Sequence, residues 1–171
     1  MHWSLFHRPA WLCCVVALMI VQDGTTQPAQ ELATVSELRV AATGVTDEKS
    51  VRFEAVDILV DSADQSLAAW QLELTCRQPG VEIVGIEGGD HPAFRNPPYY
   101  DPRAIRNNRV ILGAFQVRHD NGLPTGRQRV ARVHVQVTGI DDRVWIGRLT
   151  AAVNADGQPI TAGIRIEKSG G

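Results

Sequence analysis

Ser66-Leu67-Ala68-Ala69-Trp70-Gln71-Leu72-Glu73-Leu74-Thr75-Cys76 ends in an unbroken alternation. Trp70, Leu72, Leu74 and Cys76 take one parity; Gln71, Glu73 and Thr75 take the other. Successive side chains of a strand point to opposite faces, so the stretch reads as a half-buried β-strand with one wet face. Just before it, Val56-Asp57-Ile58-Leu59-Val60 reads as a second strand. The two are joined by Asp61-Ser62-Ala63-Asp64-Gln65, whose small polar residues favour a turn.

Working outward, the same grammar repeats. Gln78-Pro79-Gly80 is a turn, and Val81-Glu82-Ile83-Val84-Gly85-Ile86 follows as a strand. Residues 109–117 and 144–153 are strand-like. Ala131, Val133, Val135 and Val137 alternate with Arg132, His134 and Gln136. Asn154-Ala155-Asp156-Gly157 reads as a hairpin-type turn, and residues 160–166 close the set. Leu38, Val40 and Ala42 mark a candidate first strand. In residues 51–60 the apolar parity shifts from Val51, Phe53 and Ala55 to Val56, Ile58 and Val60. A bulge near Glu54–Val56, or burial on both faces, is expected there. About eight strands with regular turns and no helical period predict an all-β fold, an antiparallel two-sheet sandwich.

The chain has 171 residues, enough for one domain with a real core. Its formal net charge is −2, so no global basic field points to nucleic acid. At the N-terminus, His7 and Arg8 precede the apolar run Ala10-Trp11-Leu12-Cys13-Cys14-Val15-Val16-Ala17-Leu18-Met19-Ile20-Val21. That run falls short of the roughly 20 residues needed to span a bilayer and has the length of a signal-peptide core. The expected organisation is a signal peptide over 1–26, a leader with the candidate first strand over 27–46, the sandwich over 47–168 and a tail over 169–171. The expected location is secreted, periplasmic or cell-surface. Membrane contact is expected only through the N-terminal segment, if it stays uncleaved. Cleavage would leave Cys76 as the sole cysteine, so no internal disulfide is expected and the core must hold the fold.

In the order of its elements the chain resembles a cohesin-like module, in a superfamily that also holds bacterial carbohydrate-binding β-sandwiches. Residues 56–60 resemble the family's first core strand, 67–74 its next strand, and 81–86 the strand after a modest loop. Leu149-Thr150-Ala151-Ala152-Val153-Asn154-Ala155-Asp156-Gly157-Gln158-Pro159-Ile160 resembles the closing strand, Asp-Gly turn and last strand. The resemblance covers most of residues 51–166. It implies a non-enzymatic module that binds a docking module on another protein, or a polysaccharide. The chain departs from the pattern twice. Thr75-Cys76-Arg77 stands where many members carry a Tyr-Asp pair, and residues 88–108 form a longer insertion. Docking residues are therefore not transferred position by position.

That insertion is the leading site candidate, because long loops in compact domains usually carry function. Pro97, Pro98 and Pro102 exclude both helix and strand interior. Phe94, Tyr99 and Tyr100 offer aromatic faces; Asn96, Asp101 and Arg103 offer hydrogen bonds to a ligand. The competing expectation is that Phe94 and one tyrosine tuck beneath the loop and cover a sheet edge. Asp90-His91 and His119-Asp120 lack the spacing of a metal site. Neither metal nor cofactor is expected, and no G-x-S-x-G, H-E-x-x-H or C-x-x-C motif points to catalysis. A small hydrolase would need a paired acid and base within 88–108. The leading expectation is a secreted, non-enzymatic recognition or scaffold module for a protein partner at the cell surface. A carbohydrate-binding module for a cell-envelope or environmental polysaccharide is the alternative.

Overall fold

Eight strands form two four-stranded antiparallel sheets in the computed structural model, which describes residues 34–41, 50–116, 122–139 and 142–170. They are β1 (Thr34–Val40), β2 (Val51–Asp61), β3 (Ala69–Cys76), β4 (Val81–Gly88), β5 (Arg109–Phe115), β6 (Arg127–Thr138), β7 (Arg143–Val153) and β8 (Gly163–Lys168). The front sheet runs β1-β7-β3-β5 and the back sheet β4-β6-β2-β8. The fold is thus the all-β sandwich expected. The expected signal peptide, residues 1–26, lies outside the described residues, as do Ala42, His119 and Asp120.

Alternation in sequence becomes layering in space. Trp70, Leu72, Leu74 and Cys76 of β3 are buried between the sheets. Val133, Val135 and Val137 of β6 and Ile58 and Val60 of β2 meet them from the back sheet. Inward-facing Gly147 of β7 leaves room for Ile166 of β8: a Cβ there would come 2.6 Å from its Cδ1. Burial raises the Cys76 thiol above its usual range, which leaves it an inert core group.

Two expectations change. The β2–β6 register runs unbroken from Val51↔Thr138 to Ile58↔Ala131, and the irregularity falls between Ile58 and Leu59, not near Glu54–Val56. No parity shift occurs either: Val51 and Phe53 face outward, 54% and 71% exposed, and Arg52 and Glu54 occupy the inward parity. The Asn154 turn also differs from a simple hairpin. The Asn154 side-chain oxygen accepts hydrogen bonds from the backbone N–H groups of Asp156 and Gln158 (3.0 and 2.9 Å). Beyond it the chain pairs briefly through Ile160 N–H to Ala152 C=O (2.9 Å). It then crosses to the back sheet, where β8 pairs with β2.

Both open sides of the sandwich are closed. At one, the Thr34 hydroxyl donates to Ala162 C=O (2.9 Å) and the Ser36 hydroxyl accepts from Ile166 N–H (3.3 Å), tying β1 to the β8 region. β1 is the expected first strand and pairs with β7 along its whole length. At the other side the segment between β4 and β5 crosses from back sheet to front.

Candidate recognition surface

This crossing segment is anchored along its length. Gly88 and Gly89 make its first corner. A Cβ on Gly88 would sit 2.1 Å from Arg95 O, and one on Gly89 2.2 Å from Arg129 O, so backbone passes where any side chain would be. The His91 ring nitrogen accepts from Ala93 N–H (3.2 Å) and opens a 3-10 turn, Pro92–Phe94. Asp101 caps a second such turn, Pro102–Ala104, by accepting from Arg103 N–H (2.9 Å). Arg106 N–H then donates to Ile83 C=O, and Ile83 N–H to Asn107 C=O (2.9 Å each), which covers the edge of β4. Tyr99 and Gly113 exchange backbone hydrogen bonds (2.7 and 3.0 Å), which covers part of the edge of β5. Unpaired strand edges invite foreign pairing, and this segment removes much of that exposure.

The six residues singled out in the segment divide by this geometry. Phe94 is core, 3% exposed, and meets Trp70 edge-on with centroids 6.1 Å apart. Its ring offers no free face to a ligand. Tyr100 is half-buried and packs against the core. Asn96 is exposed, but its backbone lies at the Gly88 corner. Tyr99 is 70% exposed and stacks on Phe115 of β5, rings 5.6 Å apart and 10° from parallel. Asp101 and Arg103 line an open depression of about 410 Å³ together with Asn107, Arg109 and Ile111. The structure therefore brings Tyr99, Asp101 and Arg103 to one strip and turns Phe94 and Tyr100 inward.

Ile111 and Phe115 complete that strip and were not singled out in the sequence. Their signal is visible in Arg109-Val110-Ile111-Leu112-Gly113-Ala114-Phe115, which is apolar on both parities although β5 is the last strand of its sheet. Val110 and Leu112 point into the core; Ile111 and Phe115 stay 46% and 59% exposed. Across the outer face of the front sheet, Ile111 lies beside Glu73, Glu73 beside Arg148, and Arg148 beside Val35. Four of the six large hydrophobic residues exposed among the described residues, Val35, Tyr99, Ile111 and Phe115, belong to this face and its flanking loop. Dispersed exposed apolar residues need no explanation, but a strip gathered on one face does.

The charged groups of the segment and of the front face are partly held in ion pairs. Asp90 and Asp101 are the carboxylates of the crossing segment. The guanidinium of Arg129 hydrogen-bonds Asp90 and holds its carboxyl below the usual range, although partial burial works the other way. A general acid needs the opposite shift. On the front face, two hydrogen bonds from Arg109 (3.0 and 2.8 Å) hold the Glu73 carboxyl below its usual range. Among the described residues no three His, Cys, Asp or Glu side chains converge as metal ligands. His134 instead meets Glu87 on the outer back face at 2.8 Å.

No protein-family model matches the sequence, and no curated protein is detectably similar to it. Solved structures do share the fold. One is a non-cellulosomal cohesin from the hyperthermophilic archaeon Archaeoglobus fulgidus, at 15% identity and TM-score 0.50, covering 78% of this chain and 91% of that one. Another is the Coh-OlpA–Doc918 cohesin–dockerin complex from Clostridium thermocellum, at 8% identity and TM-score 0.53, covering 77% and 97%. At such identities the likeness is one of fold: this chain is a cohesin-like β-sandwich.

Proposed function

We propose that the chain is a non-enzymatic recognition module that docks a protein partner on the outer face of its front sheet, beside the 88–108 loop. The observation that carries this reading is the strip Tyr99, Phe115 and Ile111, gathered exposed along one edge of the front sheet, whereas the back sheet exposes only Val51 and Phe53 among the described large hydrophobics. Burying such side chains against a partner gains contact area at low entropic cost, because the strand and the anchored loop already fix them. The complex formed by one structure of the same fold, a cohesin with a dockerin, is in keeping with a protein partner. The N-terminal apolar segment supports export, so the partner is expected outside the cytoplasm, in the periplasm, at the cell surface or in the medium.

The polysaccharide reading draws on the depression beside Ile111, where Asp101, Arg103 and Asn107 supply polar groups. It is second because Tyr99 and Phe115 each spend one ring face on the other. One pair of variants separates the readings. Tyr99→Ala with Phe115→Ala removes the two aromatics of the strip without touching the core. Retention of an extracellular protein by the parent chain, lost in an equally stable double variant, supports protein docking. The same loss on a glycan array favours polysaccharide. Unchanged binding to either overturns the assignment of this surface.

A further inference from the structure

We infer that the partner docked on this face is acidic, presenting an apolar anchor flanked by carboxylates; the inference rests on the docking reading above. Its basis is a difference between the two outer faces. On the back sheet most charges are paired; Lys168 is in no salt bridge among the described residues, but its charge acts on Glu54. Arg127 pairs with Asp61, Arg132 with Asp57, Arg129 with Asp57 and Asp90, Arg165 with Glu167, and His134 meets Glu87. A face balanced in this way projects little field.

The front face is not balanced. Two of its arginines are matched, Arg109 by Glu73 and Arg39 by Glu37. Three more guanidiniums, those of Arg77, Arg103 and Arg148, form no salt bridge among the described residues. They lie toward the Ile111 end of the apolar strip. Arg103 shares the depression with Ile111. Arg148 lies one strand beyond Glu73 in the row that begins at Ile111. Arg77 continues the outward parity of β3, its N–H bound to Val144 C=O (3.0 Å). Among the described residues, the front face and its flanking loop set Arg39, Arg77, Arg103, Arg109 and Arg148 against three carboxylates, Glu37, Glu73 and Asp101.

Such a surface attracts anions at long range and selects for them at contact, since a basic partner would meet uncompensated like charge. Guanidiniums also pair carboxylates through two parallel hydrogen bonds, which adds orientation to attraction. A uniform polyanion fits less well. Glu37 and Glu73 stand on the same face and Asp101 in the depression beside it; these would repel a continuous line of negative charge, whereas discrete carboxylates can be set around them.

The test uses the full chain and a phage-displayed library of random peptides, with the Tyr99→Ala/Phe115→Ala variant as counter-selection. Heparin serves as the polyanion control. The expected result is enrichment of peptides with Asp or Glu around an aromatic or aliphatic anchor. Their affinity should fall roughly tenfold or more in an Arg77→Glu/Arg103→Glu/Arg148→Glu chain of unchanged melting temperature, and should weaken steeply with added salt. Enrichment of neutral or basic peptides that still require Tyr99 and Phe115 overturns the acidic partner but leaves the docking reading standing. Heparin binding that depends on the three arginines but not on Tyr99 and Phe115, without peptide enrichment, replaces the protein partner with a polyanion. If no peptide depends on Tyr99 and Phe115, the docking reading fails and takes this inference with it.

Discussion

Arg143 of β7 and Glu54 of β2 belong to opposite sheets and meet at 2.5 Å across the interior. The Arg143 side chain is only 3% exposed, and Glu54 also takes a hydrogen bond from Arg52 at 2.9 Å. Charged pairs inside a sandwich contribute little net stability, because desolvation offsets their attraction. Breaking one is another matter, since the remaining charge stays buried.

Glu54→Ala is therefore expected to destabilise the domain by about 3 kcal/mol, the lower end for breaking a buried pair by removing one partner. Arg143→Met, which removes the buried cation and keeps the bulk, should cost much less. Denaturant melts of the two variants measure the difference, and equal losses would show that the pair acts mainly through packing.

The same carboxylates make stability depend on pH. Burial raises the Glu54 carboxyl, but the Arg52 hydrogen bond and the charges of Arg143 and Lys168 outweigh it and leave it below its ordinary 4.5. Burial likewise raises Asp57, and hydrogen bonds from Arg132 and Ser169 hold it below 3.8. A carboxyl depressed in the folded state stabilises fully above its unfolded pKa and loses that stabilisation as pH falls through the folded value. The melting temperature should therefore be insensitive to these groups at neutral pH and fall below about pH 4.5. Glu54→Gln should flatten part of that fall.

Trp70 sits at the centre of the core, 2% exposed and braced by Phe94. Trp70→Ala should cost about 3–5 kcal/mol, as deletion of a large buried aromatic does elsewhere. Phe94→Ala should be comparably severe, at about 3 kcal/mol or more. An effect of Phe94→Ala below about 1 kcal/mol in a denaturant melt would mean that the loop aromatic is not part of the core.

Gly88→Ala should cost about 2–3 kcal/mol, the range of an overpacked site. The added methyl would run into two backbone carbonyls, Arg95 O at 2.1 Å and Asn96 O at 2.5 Å, neither of which can rotate away. Displacing that corner should also disturb the Tyr99–Gly113 pairing downstream. Hydrogen exchange at Gly113 N–H, faster in the variant than in the parent, would report it.

Strand identity was legible because it is local. The alternation of Trp70 to Cys76 and of Ala131 to Val137 states which side chains face inward, and both strands bury those side chains. Residues 51–55 were harder to read. The apolar side chains of Val51 and Phe53 imitate an inward face, yet they point outward while Arg52 and Glu54 point in. Nothing within β2 explains that choice; the explanation is Arg143, 89 residues away.

The candidate surface shows the same division. Proline spacing alone made residues 88–108 an irregular loop, and their tyrosines marked them for attention. Which aromatic would serve the core and which the surface was set by the partners each ring found, Trp70 for Phe94 and Phe115 for Tyr99. The sequence by itself determined the strands, their wet and dry faces and the sandwich class, because each follows from the two-residue period of a single strand. The tertiary structure decided sheet order, the inward ion pair and the exposed strip. Each of these joins residues far apart in the chain, and a local pattern carries no record of which distant segment will lie beside it.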